Sequence, residues 1–254
     1  MNLKFLKAYI NDLELDVPEN DYKSLQDDVP PTEKAAPAEE EAKFVNDKSL
    51  VSFAAGVSGE NQSDLLDSLL LSQLAANKQY SAEDEPEQWF NAFSGVMNNI
   101  GWILEESDFS TYKAKGNVIE IESVVMDVLE STLGAKIIPI AKSLLNAVKG
   151  LTEKDSSKFI AFEKNTHSLK KGNFLLGIAD ETNATLSFSM CMIMIESTHQ
   201  IKQILFFKST KDETKVDYSS VKGTLNSLKF ASVRPVIDKK LQDYRNDYIA
   251  NIDI

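Results

Sequence analysis

The residues of this chain that could perform chemistry are few, and their spacing assembles no catalytic centre. His167 and His199 both fall in predicted solvated turns, whereas a hydrolytic zinc site needs three His, Cys or carboxylate ligands at suitable spacing. The single cysteine, Cys191, lies within an apolar run, where buried thiols are inert, and it has no partner for a disulfide within the chain. The sequence therefore predicts neither a metal site nor a cysteine nucleophile.

Other catalytic patterns are also missing from the sequence. It contains no GxSxG serine elbow and neither of the phosphate-binding loops GxxxxGK[ST] and GxGxxG. The carboxylates Glu105, Glu106 and Asp108 cluster at a predicted helix end, and Glu120 with Glu122 opens the next helix. Acidic side chains near a helix start stabilise the helix dipole, so we assign no catalytic residue and no cofactor. An enzyme of unrecognised type remains the least favoured alternative.

The charge of the chain is negative overall and unevenly distributed. The net charge of −12 divides into −6 over residues 1–50, −8 over 51–150 and +2 over 151–254. An acidic chain repels phosphate backbones, and no basic cluster with interleaved aromatic residues stands out. The charge excludes nucleic acid as the expected partner and leaves the C-terminal region as the part that anionic lipid would not repel.

The sequence carries no signal for insertion into a membrane. Residues 1–7 lack the apolar core and the small-residue cleavage site of a secretory signal peptide. No apolar run approaches the ~18 residues of a lone membrane-spanning helix. We expect a protein that is cytoplasmic when made, whose release would need a route without a cleaved signal peptide.

Residues 1–45 differ in composition from the rest of the chain. Leu3, Phe5 and Tyr9 form a weak apolar pattern that fits either a strand or a docking peptide. Residues 17–43 combine prolines with acidic clusters, a composition that buries too little surface to offset the entropy of chain ordering. We expect an acidic, proline-rich flexible tail, and the alternative is a tether whose first 16 residues dock on a second subunit or a carrier.

The region 46–150 is predicted to be helical. Apolar residues recur at helical spacing with short connections, which favours a small bundle. The last two helices join at Gly134 and form an apolar hairpin that is either bundle core or able to swing onto a membrane, although each arm is too short to cross a bilayer. The predicted helices span 63–77, 84–103, 118–133 and 136–149.

Beyond Gly150 the hydrophobic period changes from 3.6 to 2, which predicts an antiparallel sheet. In the segment 185–195 the methionines share one wholly apolar face, and Cys191 lies on the mixed face opposite. A final helix is predicted near Arg234-Pro235. The predicted strands are 159–162, 173–178, 185–195, 201–207 and 216–228.

The pair of strands within 185–209 reads as a hairpin. If 201–207 is an edge strand, alternation places one ring of Phe206-Phe207 off the core, where it is available to another chain. The candidate interaction residues are Leu3, Phe5, Tyr9, Phe206 and Phe207.

Three strings within residues 51–102 carry a resemblance to a known family. They are Val51-Ser52-Phe53-Ala54-Ala55-Gly56-Val57-Ser58, Gln73-Leu74-Ala75-Ala76-Asn77-Lys78 and, after Trp89, Asn99-Ile100-Gly101-Trp102. They resemble a family found in bacteria and fungi that has no established activity, and Gln73–Lys78 is the most specific part. The resemblance covers the helical half well and the sheet half in layout only. It implies a common core of about 50–250 with 1–45 as an addition, and it transfers no functional residue.

These patterns together predict an α+β fold: a helical bundle layer in 46–150, then an antiparallel sheet or sandwich with a C-terminal helix in 151–254, both preceded by the 1–45 tether. The favoured function is non-enzymatic, namely self-association or engagement of a membrane lipid or protein partner in a toxin-like or effector-like role. The first alternative is a structural or particle-assembly component, a homo-oligomer locked by its N-terminal tail.

Overall fold

The structure is a computed structural model that describes residues 3–17, 40–153 and 157–252. Most of the predicted tether, 18–39, lies outside the described residues. The helices are α1 (Leu3–Asp12), α2 (Gly59–Gln79), α3 (Pro86–Ile100), α4 (Ile121–Leu133), α5 (Ile138–Glu153), α6 (Ser157–Thr166), α7 (Ser227–Leu241) and α8 (Arg245–Tyr248). The strands are β1 (Ala42–Asn46), β2 (Ser49–Phe53), β3 (Trp102–Glu106), β4 (Ser110–Thr111), β5 (Val118–Glu120), β6 (Lys171–Thr182), β7 (Thr185–Ser197), β8 (Lys208–Thr210), β9 (Thr214–Leu225) and β10 (Ile249–Asn251).

Most of the strands form one large sheet. Its order is β10-β1-β2-β6-β7-β9-β3, and β4 also pairs with β9. The β2–β6 pair is parallel, and the other pairs of this sheet are antiparallel. Strands β5 and β8 form a separate two-stranded ribbon. The sheet therefore takes strands from both the region predicted to be helical and the region predicted to be β.

The alternation along β7 divides the core into two clusters. Met190 and Met192 lie on the face that packs beneath α1, α2, α3 and α7, as the period-2 pattern predicts. Cys191 and Ile193 lie on the opposite face, beneath α4, α5 and α6. Because β7 is buried on both faces, helices cover the sheet on both sides. The α+β class is confirmed.

The helices predicted as one bundle layer divide between the two faces of the sheet. Helices α2 and α3 pack on each other on one face, and α4 and α5 form a hairpin on the other. The physical reason is that the central strands expose apolar side chains on both faces, and each face needs a cover of amphipathic helices.

Two of the strand predictions are wrong. The run 159–162 lies in α6, where Phe159 and Phe162 are buried three residues apart on the inner side of a helix. The run 201–207 is irregular, although Ile204 and Leu205 are buried. It cannot form the predicted hairpin with β7, because β6 and β9 already pair with both edges of that strand.

The two ends of the chain also differ from expectation. The N-terminal segment forms α1 rather than a strand, with Leu6 and Ile10 buried in the core beside α7. The last long helix begins at Ser227, well before the predicted start near Arg234-Pro235. Its N-cap is Asn226, whose side-chain oxygen accepts a hydrogen bond from the backbone N–H of Lys229 at 3.0 Å.

Over the ranges that the structure describes, no helix combines the length and the apolar character needed to cross a bilayer.

Candidate functional site

The two helical layers are attached to the sheet in different ways. We call α1, α2, α3, α7 and α8 the α2 layer, and α4, α5 and α6 the α5 layer. The α2 layer is cross-linked by buried polar contacts, whereas the α4–α5 hairpin is held mainly by apolar contacts. The two layers therefore differ in how firmly polar contacts attach them to the rest of the molecule.

Two ion pairs lock α2 to the C-terminal helices. Arg234 on α7 donates from Nε and Nη2 to the two carboxylate oxygens of Asp64 at 2.7 and 2.6 Å. Arg245 on α8 donates in the same way to Asp67 at 2.5 and 2.6 Å. Burial raises the pKa of Asp67 to about 6, against the lowering effect of its hydrogen bonds to Arg245. Bidentate geometry fixes the relative orientation of these helices.

The string Gln73–Lys78 has a structural role in the same layer. The Oε1 of Gln73 accepts a hydrogen bond from the backbone N–H of Lys48 at 3.1 Å, in the turn between β1 and β2. Asn77 donates to Asp47 at 3.4 Å and accepts from the indole N–H of Trp89 at 2.8 Å. The side chains of Gln73 and Asn77 thus tie α2 to the β1–β2 turn and to α3.

Asp47 is a buried carboxylate in the turn between β1 and β2. It has a positive φ of 50°, and burial raises its pKa above the ordinary value. Its second oxygen accepts a hydrogen bond from Asn165 of α6 at 3.0 Å. A surface cleft of about 310 Å³ reaches this point, lined in part by Lys48 and Lys164. Hydrogen bonds from Asn77 and Asn165 already satisfy both carboxylate oxygens of Asp47. The network therefore holds the β1–β2 turn, α2 and α6 together.

The α4–α5 hairpin covers the other face of the sheet with apolar side chains. Val125 and Leu129 of α4 and Leu144 and Val148 of α5 are all buried in that cluster. Over the described side chains of α5, no hydrogen bond or ion pair reaches another element. Apolar contact is non-directional, so it attaches the hairpin without fixing it at particular points.

Helix α4 has polar contacts at two points. Asp127 accepts a hydrogen bond from the Tyr112 hydroxyl at 2.7 Å and pairs with Lys115 at 3.2 Å, both on the connection before β5. Near the other end of the helix, the Thr132 hydroxyl lies 3.2 Å from the sulfur of Cys191 on β7. Only the second of these contacts reaches the large sheet, and it is a weak one.

Cys191 lies beneath the hairpin and is fully buried. Burial raises the pKa of its thiol to about 11. A thiol that stays protonated under apolar side chains is a poor nucleophile.

The two histidines lie in different environments. His199 is exposed, and its Nε2 lies 2.8 Å from Oε1 of Glu213. The prediction of a solvated turn is wrong for His167, whose side chain is only 12% exposed and lies 3.3 Å from Glu163. Burial raises the pKa of Glu163 to about 7, and the carboxylate accepts a hydrogen bond from the backbone N–H of Ile204 at 3.0 Å. In the described parts of the chain, no group of three His, Cys, Asp or Glu side chains could hold a metal ion.

The carboxylates considered for catalysis lie near the edge of the sheet. Glu105 and Glu106 are exposed on β3, the last strand of the sheet order, and Asp108 is exposed after it. Exposed carboxylates at a sheet edge are typical of strands that avoid unwanted pairing.

The candidate interaction residues fall into two separated groups. Leu3 and Phe5 are exposed on α1, and Phe5 and Tyr9 line a shallow surface cleft of about 460 Å³. Phe206 is half-buried and Phe207 buried against the core of the α5 layer, on the opposite face of the sheet. The structure therefore brings Phe5 and Tyr9 together and separates them from the phenylalanine pair.

Sequence reasoning missed three lysines of the α5 layer, Lys136, Lys142 and Lys149, all of which are exposed. The signal was present, because no aspartate or glutamate occurs between Glu130 and Glu153. It was hidden in the average over 51–150, which is strongly acidic.

No protein-family model and no curated protein matches this chain. Three solved structures have similar backbones. A delta-endotoxin is 11% identical with a TM-score of 0.44, over 82% of this chain and 89% of that one. The Evf virulence factor is 10% identical with a TM-score of 0.36, over 96% and 90%. The activated Cyt2Ba monomer from Bacillus thuringiensis subsp. israelensis is 12% identical with a TM-score of 0.32, over 55% and 78%. Likenesses at this level assign neither a family nor an activity to the chain.

Proposed function

We propose that this protein is a non-enzymatic, membrane-engaging protein that acts in a toxin-like or effector-like manner. In this mechanism the α4–α5 hairpin leaves the sheet and places its apolar face on a lipid bilayer. The α2 layer and the sheet stay folded and support the displaced hairpin.

The observation that carries the proposal is the unequal attachment of the two layers. Separating α2 from the C-terminal helices would break two bidentate ion pairs and leave Asp64 and Asp67 without partners. Separating α5 from the sheet breaks apolar contacts, which a lipid surface replaces with contacts of the same kind. A bilayer therefore offsets the cost of opening on the α5 side and gives no compensation on the α2 side.

The start of the hairpin is attached to the β5–β8 ribbon. Strand β5 pairs with β8, and Glu120 forms an ion pair with Lys208 at 2.9 Å. The backbone N–H of Ile121, the first residue of α4, donates to the carbonyl of Phe207 at 3.0 Å. At the far end, Gly134 connects the two helices with a φ of +92°, a conformation that suits glycine. The ribbon thus holds the start of α4, whereas near the tip the contact between the described side chains and the large sheet is the weak one between Thr132 and Cys191.

The lengths of the helices determine what the hairpin can do in a bilayer. Helix α4 has 13 residues and α5 has 16, both short of the ~20 needed to cross the hydrocarbon core. Amphipathic helices of this kind lie in the interface, where they disturb lipid packing. We therefore expect leakage from disturbed bilayers rather than a pore of spanning helices.

Dye release from liposomes tests the proposal. The full chain and a variant lacking residues 1–45 are each added to vesicles of phosphatidylcholine alone and of phosphatidylcholine with phosphatidylserine, at several pH values. Release at a low protein-to-lipid ratio, together with co-flotation of protein and vesicles, supports membrane action. Neither release nor co-flotation under any of these conditions would contradict it.

A second candidate function, assembly through the N-terminal helix, is favoured by the surface of α1. Phe5 is 61% exposed and lines the cleft with Tyr9, which offers an apolar contact to a second copy of the chain. In this reading Phe5→Gln shifts the oligomer to monomer in light scattering without changing the unfolding midpoint. A monomeric wild-type chain at high protein concentration would remove this candidate.

A further inference from the structure

The stretch around α5 reverses the local sign of charge in an acidic chain. The chain has 39 acidic residues against 27 basic ones. Between Glu130 and Glu153 it contains Lys136, Lys142 and Lys149 and no aspartate or glutamate. The segment 131–152 therefore has a net charge of +3 within a chain of net charge −12.

The structure places these lysines on the outer side of the molecule. Lys142 and Lys149 lie two turns apart on the exposed face of α5, with exposed Asn146 between them. Lys136 is exposed in the 3₁₀ turn, Ala135–Ile137, that precedes the helix. Within the described residues none of the three lysines forms an ion pair. Their charge is thus available to a partner outside the molecule.

The inner face of α5 has the opposite character. Ala141, Leu144, Leu145 and Val148 are all buried against the sheet and α4. A helix with one apolar face and a polar face of lysines and neutral side chains is typical of helices that lie at membrane surfaces.

The turn before α5 combines the same two properties. Ile137, Ile138 and Ile140 are only partly covered, and Pro139 is exposed. Lys136 is the single charged residue of this tip. Apolar side chains at such a tip enter the headgroup region, while an adjacent lysine pairs with negative headgroups.

The other helix of the hairpin, α4, carries charge of the opposite sign. Helix α4 contains Glu122, Asp127 and Glu130 and no lysine or arginine. A negatively charged surface would therefore attract the α5 side of the hairpin and repel the α4 side. The attraction orients the molecule with α5 and its preceding turn towards that surface.

We infer that α5 and its preceding turn are the surface by which this protein recognises anionic phospholipid headgroups, through Lys136, Lys142 and Lys149. The inference rests on the proposed function and names the lipid class on which it acts. An anionic bilayer is the occupant because it matches both properties of the site, the positive outer face and the apolar tip and inner face. A soluble polyanion would match the lysines alone.

Vesicle flotation with matched charge variants tests the inference. The first variant carries Lys136→Gln, Lys142→Gln and Lys149→Gln. The control carries Lys78→Gln, Lys222→Gln and Lys239→Gln, which removes three exposed lysines from outside the α5 layer. Both variants have a net charge of −15, three below that of the wild type. Circular dichroism and the unfolding midpoint confirm that both are folded.

The inference predicts that the wild type binds phosphatidylserine vesicles at least tenfold more tightly than phosphatidylcholine vesicles. The α5 variant loses tenfold or more of its affinity for phosphatidylserine, since each lysine near an anionic surface contributes substantially. The control stays within about twofold of the wild type, and added salt weakens wild-type binding by screening.

Several results would overturn the inference. One is an α5 variant that binds phosphatidylserine as tightly as the wild type, and another is a control that loses as much affinity as the α5 variant. Equal leakage from both vesicle types would overturn it while leaving the proposed function intact. The absence of any vesicle binding or leakage would remove both. Lysine-dependent binding to heparin in solution, without binding to vesicles, would show that the partner is a soluble polyanion instead.

Discussion

Arg245 meets both carboxylate oxygens of Asp67 at 2.5 and 2.6 Å and so fastens α8 to α2. The same guanidinium also pairs with Asp238 at 2.6 Å. The opposite face of the sheet has no comparable contact between α5 and its neighbours over the described side chains. The strength of polar attachment thus differs between the two sides of one sheet, and the proposed function rests on this difference.

Breaking the Arg245–Asp67 pair from one side should be costly. Arg245→Met leaves the Asp67 carboxylate, whose side chain is only 6% exposed, without its partner. We expect the free energy of unfolding to fall by about 3 kcal/mol, measured by urea denaturation. The double variant Arg245→Met with Asp67→Leu should recover most of this loss, because it removes the buried charge as well. A loss below about 1 kcal/mol in the single variant would show that the pair does not hold the layer.

The Glu163 carboxyl should give the stability of the protein a defined pH dependence. Burial raises its folded pKa to about 7 from an ordinary value of 4.5. Because the folded chain binds the proton more tightly, the contribution of Glu163 to stability is fully present below about pH 4.5 and is lost as pH rises through 7. The stability of the wild type minus that of Glu163→Gln should therefore decrease between pH 5 and pH 8. A difference that is flat or rises with pH would contradict the burial of this group.

Asn77, in the string Gln73–Lys78, should matter for folding rather than for activity. Its amide bridges Asp47 and the indole of Trp89. Asn77→Ala leaves the indole N–H of buried Trp89 without its acceptor and removes one of the donors to buried Asp47, which keeps its hydrogen bond from Asn165. We expect the free energy of unfolding to fall by about 1–3 kcal/mol. At temperatures where the Asn77→Ala variant is still folded, it should release dye from vesicles as fast as the wild type. Lost leakage in a variant of unchanged stability would mean that the string belongs to the functional surface.

Cys191 is a reporter of hairpin movement, because it is the single cysteine of the chain and lies under α4. In solution a maleimide should label it slowly, since the thiol is buried and its pKa is about 11. When vesicles from which the protein releases dye are added, labelling should become at least tenfold faster, because α4 moves away from β7. Leakage with an unchanged labelling rate would show that the hairpin stays on the sheet.

The sequence indicated the long elements because their periodicity is local. The leucines of α2, the Trp89–Ile100 seam of α3 and the alternation of β7 are each set by side chains within one element. Short apolar runs do not distinguish a strand from a helix. Phe159 to Phe162 fits a buried strand or one turn of a buried helix equally well, and only the position of the sheet decides between them.

Strand pairing and the distribution of helices over the sheet depend on residues far apart in the chain, so local sequence patterns do not predict them. The place of 201–207 was fixed by β9, which pairs with the strand edge that a hairpin would have used. The division of the helices between two faces followed from β2 and β3 entering the sheet, which the helical pattern around them concealed. The sequence pattern predicts the helical hairpin joined at Gly134. Its weaker attachment can be recognised only by comparing the contacts on the two faces of the sheet.

A reversible disulfide between α4 and β7 shows whether the hairpin must leave the sheet for membrane action. The Thr132 hydroxyl lies 3.2 Å from the Cys191 sulfur, so Thr132→Cys places two thiols at bonding range. Mass spectrometry verifies the disulfide, and Thr132→Cys with Cys191→Ala is the control that cannot form one. If the hairpin must leave the sheet to act, the oxidised variant releases no dye from vesicles and reduction restores wild-type release, while the oxidant does not change release by the control. Dye release by the verified disulfide variant as fast as that of its reduced form would show that the hairpin need not leave the sheet.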